Sequence, residues 1–328
     1  MVFTILFILL LIPLSSVSAQ QQTERKFNGI IIQPAIEFLE VDRSEVTSGT
    51  IRLTNDFEQE QTITLYPIFF LFSQSGESGE PDLYLNPSLP ESADGSKWFD
   101  TVQESVTLQQ GEFLDVEYVV NVPIDAEPGG HYVAVIFSED ENLELTDVTL
   151  NRSIGTLFFL NVSGDVQTGG ELIEFRSVRN WYDFTPFEFE TRYRNDGNTH
   201  DVIGGNIFIH RGDITNPTGE IEVNSNGQVV LPGLIRSYLN TFNGGLISRA
   251  EDGTFRIDLA SWRQLYLGEY DATLKLFHDS PSGERTISEK TISFWVIPWQ
   301  LIFPMLVALL LLVIYFTYRR RNNPRKNA

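Results

Sequence analysis

The stretch Thr50-Ile51-Arg52-Leu53-Thr54 alternates polar and apolar side chains, and Thr62-Ile63-Thr64-Leu65-Tyr66 repeats the pattern shortly afterwards. A period of two places alternate side chains on opposite faces of a strand, whereas an amphipathic helix needs a period near 3.6. Residues 113–122 and 131–137 are longer runs rich in Val, Tyr and Phe, which favour strands. The N-terminal half of the chain is therefore predicted to consist of half-buried strands.

Turn-forming residues separate these runs, and a last strand is predicted at 156–162. They are Gly49, Asn55-Asp56, Gly76, Gly79, Gly95 and Gly111. No window between residues 27 and 162 has the period of an amphipathic helix. About seven or eight short strands separated by turns are typical of an immunoglobulin-like β-sandwich. We therefore expect residues 27–162 to form an outer domain of this type.

The second half of the chain has the same organisation. Strands are predicted at 172–178, 187–193, 206–209, 220–223, 229–231, 238–242, 270–277 and 286–296. Asn226-Gly227 and Asp252-Gly253 lie between such runs and suit tight turns with positive φ. Residues 163–170 are Gly-rich and are interpreted as a linker. Residues 171–293 are expected to form a second immunoglobulin-like sandwich that folds separately from the first.

An apolar segment at 294–318 ends the folded part of the chain and is predicted to be a transmembrane helix. A helix of about 23 residues reaches roughly 34 Å, enough for a bilayer core of about 30 Å. Trp295, Trp299, Tyr315 and Tyr318 occupy the positions that aromatic rings prefer at membrane interfaces. The alternative is a buried core helix. The basic tail at 319–328 follows at once, which predicts a cytoplasmic C-terminus.

The N-terminus carries the pattern of a secretory signal. Residues 2–14 are apolar, and Val17-Ser18-Ala19 is a small-residue cleavage site. A signal peptide is therefore predicted at 1–19, with an uncleaved N-terminal anchor as the alternative. Together with the C-terminal segment, this predicts a single-pass type I protein of the cell membrane whose bulk lies outside the cytoplasm.

The exterior part is strongly acidic and has no cysteine. The whole chain carries 23 Lys and Arg against 44 Asp and Glu, and without the five cations of the tail the exterior charge is near −26. Such a field repels nucleic acid and anionic lipid headgroups, so no nucleic-acid partner is expected. It suits a solvated surface, cationic partners or loosely held cations. The lack of cysteine in an exported chain favours a bacterial origin.

No constellation of residues predicts catalysis, so the protein is interpreted as a non-enzyme without a cofactor or metal. The four histidines, His131, His200, His210 and His278, do not have the spacing of metal ligands. A nucleophile elbow, a thiol nucleophile and a phosphate-binding loop are all missing from the sequence. No catalytic or binding residue is assigned.

Three weaker signals leave alternatives open. Glu139-Asp140-Glu141, with Glu144 and Asp147, form an acidic loop that either binds calcium or is simply solvated. Arg211-Gly212-Asp213 matches an adhesion tripeptide but also suits a turn. Trp98 and Trp181 are expected in a core or at a sheet edge, with glycan binding as the alternative if they are exposed.

Several segments resemble the membrane-anchored bacterial surface proteins with tandem immunoglobulin-like domains that are akin to the WxL-interacting proteins. The likeness spans roughly residues 27–321, and its most specific part is 122–132. The other segments are Gly49-Thr50-Ile51 with Thr54-Asn55, Trp98, 108–112, 195–200, 230–233 with Arg236, Gly268-Glu269-Tyr270 and 294–299 with the basic tail. The resemblance implies an outer domain that binds peptidoglycan and a second domain that binds a partner protein or a host. This chain departs from the family pattern in its first half, where the usual opening Asn-Gln and Tyr-Phe-Asp-Leu elements are missing.

The sequence thus predicts a membrane-tethered binding, adhesion or scaffold protein that engages a cell-wall polymer or a surface protein, with the outer domain as the contact. One alternative is an export or assembly accessory that presents strand edges to a client. A weaker one is a glycan hydrolase with an unrecognised acidic pair. An exposed, uninterrupted edge strand would favour the accessory, and a deep cleft with converging carboxylates would favour the hydrolase.

Overall fold

The computed structural model describes residues 29–85, 88–141, 153–250, 252–261, 263–279 and 285–322. It is mostly β-sheet and has one α-helix at its C-terminal end, which confirms the predicted class at this level. The expected signal peptide at 1–19 and the end of the basic tail lie outside the described residues.

Two sheets form the N-terminal unit, defined here as residues 29–162. Its strands are β1 (Ile30–Gln33), β2 (Ile36–Val41), β3 (Val46–Asn55), β4 (Ile63–Ser75), β5 (Glu80–Tyr84), β6 (Phe99–Thr101), β7 (Val106–Leu108), β8 (Phe113–Asn121), β9 (Gly129–Ser138) and β10 (Ser153–Val162). One sheet has the order β1-β3-β8-β6, and the other has the order β2-β10-β9-β4-β5 with β7 on β4. The alternating strands place Ile51, Val116, Phe137 and Phe158 in one core between the sheets.

The C-terminal unit, residues 170–296, repeats this layering. Its strands are β11 (Gly170–Ser177), β12 (Trp181–Tyr182), β13 (Phe187–Asn195), β14 (Gly204–His210), β15 (Gly219–Val223), β16 (Ile235–Phe242), β17 (Ile247–Arg249), β18 (Phe255–Ile257), β19 (Gly268–Asp279) and β20 (Arg285–Val296). Sheets β11-β13-β16 and β12-β20-β19-β14-β15 enclose an aromatic core, and β17-β18 is a separate ribbon. Residues 229–231, predicted as a strand, form only an isolated bridge between Val230 and Asp201.

The helix α1 (Trp299–Asn322) begins five residues later than the sequence analysis places it. Residues 294–296 belong to β20 instead, because Phe294 is fully buried among the core aromatic rings. Only Ile297 and Pro298 separate the strand from the helix. The described residues contain one helix long and apolar enough to cross a membrane, over Trp299–Arg319, and none of it is buried.

In each unit an inner strand ends at an asparagine. Its side chain bonds backbone groups of the turn that follows and of a distant segment, and we call this arrangement a corner. The Asn195 amide donates to Thr199 O (2.8 Å) and Val230 O (2.9 Å), and its Oδ1 accepts from Gly197 N (2.8 Å). In the same way, Asn55 donates to two carbonyls across the N-terminal unit and accepts from Phe57 N. Both asparagines are fully buried. Buried amides with all of these bonds fix the chain direction at both corners.

Candidate functional site

The edges of the sandwich sheets differ in what they expose. β5 carries Glu80, Pro81 and Asp82, and β15 carries Glu220 and Glu222, which discourage pairing with another chain. In the described part of the four sandwich sheets, β2 is the edge strand that exposes two large apolar side chains. These are Ile36, at 48 % exposure, and Phe38, at 52 %.

The outer side of β2 has free backbone groups. β2 pairs in parallel with β10 on one side, and no described strand pairs with the other. Leu157 N donates to Ala35 O and Ser163 N to Val41 O, so the odd-numbered residues of β2 face β10. Because alternate residues direct their N–H and C=O groups to opposite sides, those of Ile36, Phe38 and Glu40 point outward. These outward-pointing backbone groups of β2 are defined here as the β2 edge.

A second open segment lies beyond the end of β2. The pairing of β10 with β2 starts at Leu157, although β10 itself begins at Ser153. On this side of β10, the Thr156 hydroxyl donates to Pro34 O at 2.7 Å. The backbone groups of Ser153 and Gly155 have the same alternation as Leu157 and point to this side. Beyond the end of β2, a strand added to the β2 edge would therefore also contact the backbone of β10 at Ser153 and Gly155.

An aromatic cluster lines the face beside this edge. Phe38 stacks on Phe159 with ring centroids 5.0 Å apart, and Phe72 meets Phe159 edge-on at 5.2 Å. His200, from the C-terminal unit, lies 5.5 Å from Phe38, 5.4 Å from Phe159 and 6.0 Å from Tyr132. The edge thus offers a row of backbone groups and an apolar surface, the two features that a paired strand needs.

His200 is held in this cluster as the neutral ring. Burial lowers the pKa of His200 below its ordinary value, and the negative charge of Asp201 opposes this shift. Its Nδ1 is buried and has no hydrogen-bond partner among the described residues. A proton on this ring therefore costs more in the folded protein than in the unfolded chain.

Acidification should loosen the contact between the units through His200. Because its pKa is lowered by folding, the unfolded chain binds the proton more readily, and stability falls as pH drops below about 6.5. We expect His200→Phe to reduce the loss of melting temperature between pH 7.5 and 5.5, measured on the full chain in detergent. His210→Phe is the comparison. An unchanged pH dependence in His200→Phe would remove this role.

Polar contacts fix the two units against each other. Gln74 of β4 donates to Val229 O (2.8 Å) and accepts from Leu231 N (3.0 Å). The Arg192 guanidinium makes two bonds to Glu77, at 2.8 and 2.5 Å. The β4–β5 turn passes so close to the C-terminal unit that a Cβ on Gly79, where φ is +71°, would overlap the Arg236 guanidinium.

The expected linker is part of this junction. Asn198 Oδ1 accepts from Gln167 N at 2.7 Å, and its amide donates to Asp165 O at 2.9 Å. Gly130 N also donates to Asn198 O at 2.9 Å. Since Ser163 N donates to Val41 O, the segment at 163–170 is bonded to both units, and the orientation of the β2 edge relative to the C-terminal unit is fixed.

A cleft of about 450 Å³ lies on the same junction, between Tyr84 and Tyr132 on one unit and Asn198 on the other. Glu127 is the one carboxylate among its described lining residues. His131 is bound there by Glu127 O at 2.8 Å and packs 4.4 Å from the ring of Trp98. The cleft does not bring together a pair of carboxylates such as a glycosidase uses.

The other singled-out residues serve local structure. His210 is buried and bonded to the Thr273 hydroxyl (2.9 Å), and Gly212 takes φ of +81° in the Arg-Gly-Asp turn. Trp98 is buried, and its indole donates to Glu91 O, whereas Trp181 is 53 % exposed. Glu144 and Asp147 of the acidic loop and the His278 side chain lie outside what the structure describes. Among the described residues no group of three or more His, Asp or Glu is arranged to hold a metal ion.

Comparisons with known proteins give similarity of structure only. No protein-family model matches the chain, and no curated protein matches it. The CupB2 chaperone of Pseudomonas aeruginosa matches with 9 % identity over 79 % of this chain and 99 % of that one, at a TM-score of 0.34. The Salmonella enterica SafA pilin–SafB chaperone complex matches with 11 % identity over 83 % and 98 %, at a TM-score of 0.31. These scores are too low to extend the role of either protein to this chain.

Proposed function

We propose that this protein is a non-enzymatic, membrane-tethered accessory that holds another protein, the client. A strand of the client pairs with the β2 edge. The observation that carries the proposal is the unpaired backbone of β2 beside exposed Ile36 and Phe38. An adhesion or scaffold protein needs only a surface, whereas an accessory for assembly needs an open edge to bind an incomplete sheet.

The client segment is expected to be extended, apolar at alternate positions and cationic at its flanks. Alternate side chains of an added strand would pack beside the exposed Ile36 and Phe38, while its backbone bonds to the outward groups of β2. Glu37, Glu40 and Asp42 belong to or follow this strand and give the edge a negative charge. The electrostatic part of binding should therefore weaken as salt rises.

Membrane tethering by α1 supports a role beside a bilayer. The span over Trp299–Arg319 is exposed along its length and ends in consecutive arginines. By the positive-inside bias, both sandwich units would lie outside the cytoplasm. The resemblance to the WxL-interacting proteins agrees with such a place, and peptidoglycan binding by the outer unit stays part of that resemblance.

A charged side chain introduced at the β2 edge tests the proposal. We expect Phe38→Lys to weaken client binding by about ten- to a hundredfold, because a buried aromatic contact of about 1.5–3 kcal/mol is lost. The measurement is photo-cross-linking from position 38 in native membranes, followed by affinity measurement with the captured segment as a synthetic peptide.

Phe113→Lys is the matched control, since Phe113 has 59 % exposure and lies on β8, which is an inner strand. Hydrogen exchange should also show slower exchange of the Phe38 amide when the peptide binds. Equal weakening by both substitutions, or an unprotected Phe38 amide in the complex, would rule out strand addition at β2.

A further inference from the structure

One of the two ends of the C-terminal unit lies next to the start of α1. Gly268 at the beginning of β19 pairs with Val296, and Phe242 at the end of β16 pairs with Phe187. His210, at the end of β14, pairs with Asp271 close to the same end. The described parts of the connections at 178–186, 211–218 and 243–267 therefore lie at the end of the unit from which α1 leaves.

Asp183 ties the β17–β18 ribbon to the helix. Its Oδ2 accepts from the Gln300 amide of α1 at 2.6 Å and from the guanidinium of Arg249 on β17. Arg249 N also donates to Thr185 O at 2.7 Å. Burial acts to raise the pKa of Asp183, but the hydrogen bonds from Gln300, Phe184 N and Arg249 hold it below its ordinary value. The ribbon is thus fixed beside the first turn of α1.

Large apolar side chains project from this ribbon and the segment after it. Ile257 is 67 % exposed and Leu259 is 76 % exposed. The other exposed apolar residues at this end are Trp181, Phe255, Leu265, Leu267, Trp295 and Trp299. We define these side chains, together with Ile257 and Leu259, as the ribbon face. Large exposed apolar patches mark interaction surfaces on water-soluble domains, and these side chains share one end of the unit.

Cations are concentrated at the same end. Arg179, Arg211, Arg249, Arg256 and Arg263 all belong to its connections, although the exterior of the chain has only 18 Lys and Arg in total. Arg179, Trp181 and Arg249 line a cleft of about 480 Å³ that is open to solvent. Arginine and tryptophan are the residues that bind lipid phosphates and occupy the headgroup region.

We propose that the ribbon face is a second membrane contact, which rests on the outer leaflet of the bilayer crossed by α1. The proposal rests on the tethering role given to α1. The exposed apolar side chains enter the headgroup boundary, and Arg179, Arg256 and Arg263 contact lipid phosphates, while Arg249 stays bonded to Asp183. Continuity with α1 favours lipid over a protein partner, because the headgroup layer already surrounds Trp299. The contact would orient the C-terminal unit relative to the bilayer.

Single-cysteine labelling tests this contact, since the chain has no cysteine of its own. The full chain is reconstituted in nanodiscs with a nitroxide at Leu259→Cys, Leu309→Cys or Ile124→Cys. Collision with oxygen, which partitions into lipid, is compared with collision with a water-soluble nickel chelate. We expect oxygen to dominate at Leu259 and Leu309, and the nickel chelate to dominate at exposed Ile124 of the N-terminal unit.

The nitroxides at positions 259 and 309 distinguish the ribbon contact from the membrane tether by α1. A nickel-dominated signal at Leu259 together with an oxygen-dominated one at Leu309 would overturn the ribbon contact and leave the tether intact. A nickel-dominated signal at Leu309 would overturn the tether. In a second arm, Arg256→Gln with Arg263→Gln should lower the oxygen preference at Leu259 in nanodiscs containing anionic lipid. No change there would remove the role of these arginines.

Discussion

Replacing Phe294 by alanine should lower the free energy of unfolding by about 3–5 kcal/mol. Its ring is fully buried and lies within 5.2–6.2 Å of the rings of Tyr182, Phe187, Phe189 and Tyr270. Removing it leaves a cavity in the middle of the aromatic core, which the surrounding strands cannot fill. Urea unfolding of the full chain in a mild detergent, followed by near-ultraviolet circular dichroism, measures the loss.

Trp295→Ala is the matched control for this prediction. Trp295 is the next residue of β20, is larger and points to the other side of the strand, where it is 48 % exposed. We expect it to change the stability by less than about 1 kcal/mol. A similar loss in both variants would contradict the assignment of Phe294 to the sandwich core.

Replacing Asn195 by leucine should cost about 3 kcal/mol or more, because each buried polar group left without a partner costs about 1–3 kcal/mol. The change leaves Thr199 O and Gly197 N without their partner, and it removes one of the two donors of Val230 O, which keeps its bond from Asp201 N. Leucine has a similar size, so the loss reports the hydrogen bonds more than the packing. The same unfolding experiment measures it.

Asn216→Leu provides the comparison, since Asn216 is an exposed loop residue whose amide makes one long contact, at 3.4 Å, to Thr215. We expect a change within about 0.5 kcal/mol. If Asn195→Leu were as mild as Asn216→Leu, the corner of the C-terminal unit would not depend on this amide.

Strands whose two faces differ in polarity could be predicted from the sequence. The alternation at 50–54 and 62–66 corresponds to parts of β3 and β4, because the buried side chains on one face are apolar. The helix boundary could not be predicted in this way. Phe294, Trp295 and Val296 are all apolar, so hydropathy does not separate the end of a core strand from the beginning of α1. Only the packing of Phe294 does so.

The predicted strands do not include β2, although the sequence carries a signal for it. Ile36, Phe38 and Glu37 alternate, and a strand is readable there, but alternation does not tell whether its neighbours cover both sides. The edge depends on the order of strands in the sheet, which is a long-range property. The junction between the units was also hidden, because Gln74 and Asn198 are ordinary polar residues until their distant partners are known.

The direct passage of β20 into α1 has a mechanical consequence. Only Ile297 and Pro298 lie between them, and Asp183 braces the first helical turn through Gln300. A pull on the N-terminal unit would reach the C-terminal unit through the 163–170 segment and the bonds of Gln74 and Arg192, and would pass along β20 into the helix without a slack segment to absorb it. With the proposed membrane span of α1 and the proposed client strand on the β2 edge, the protein would behave as a stiff lever, so that tension on the client strand and tilt of the helix are transmitted to each other.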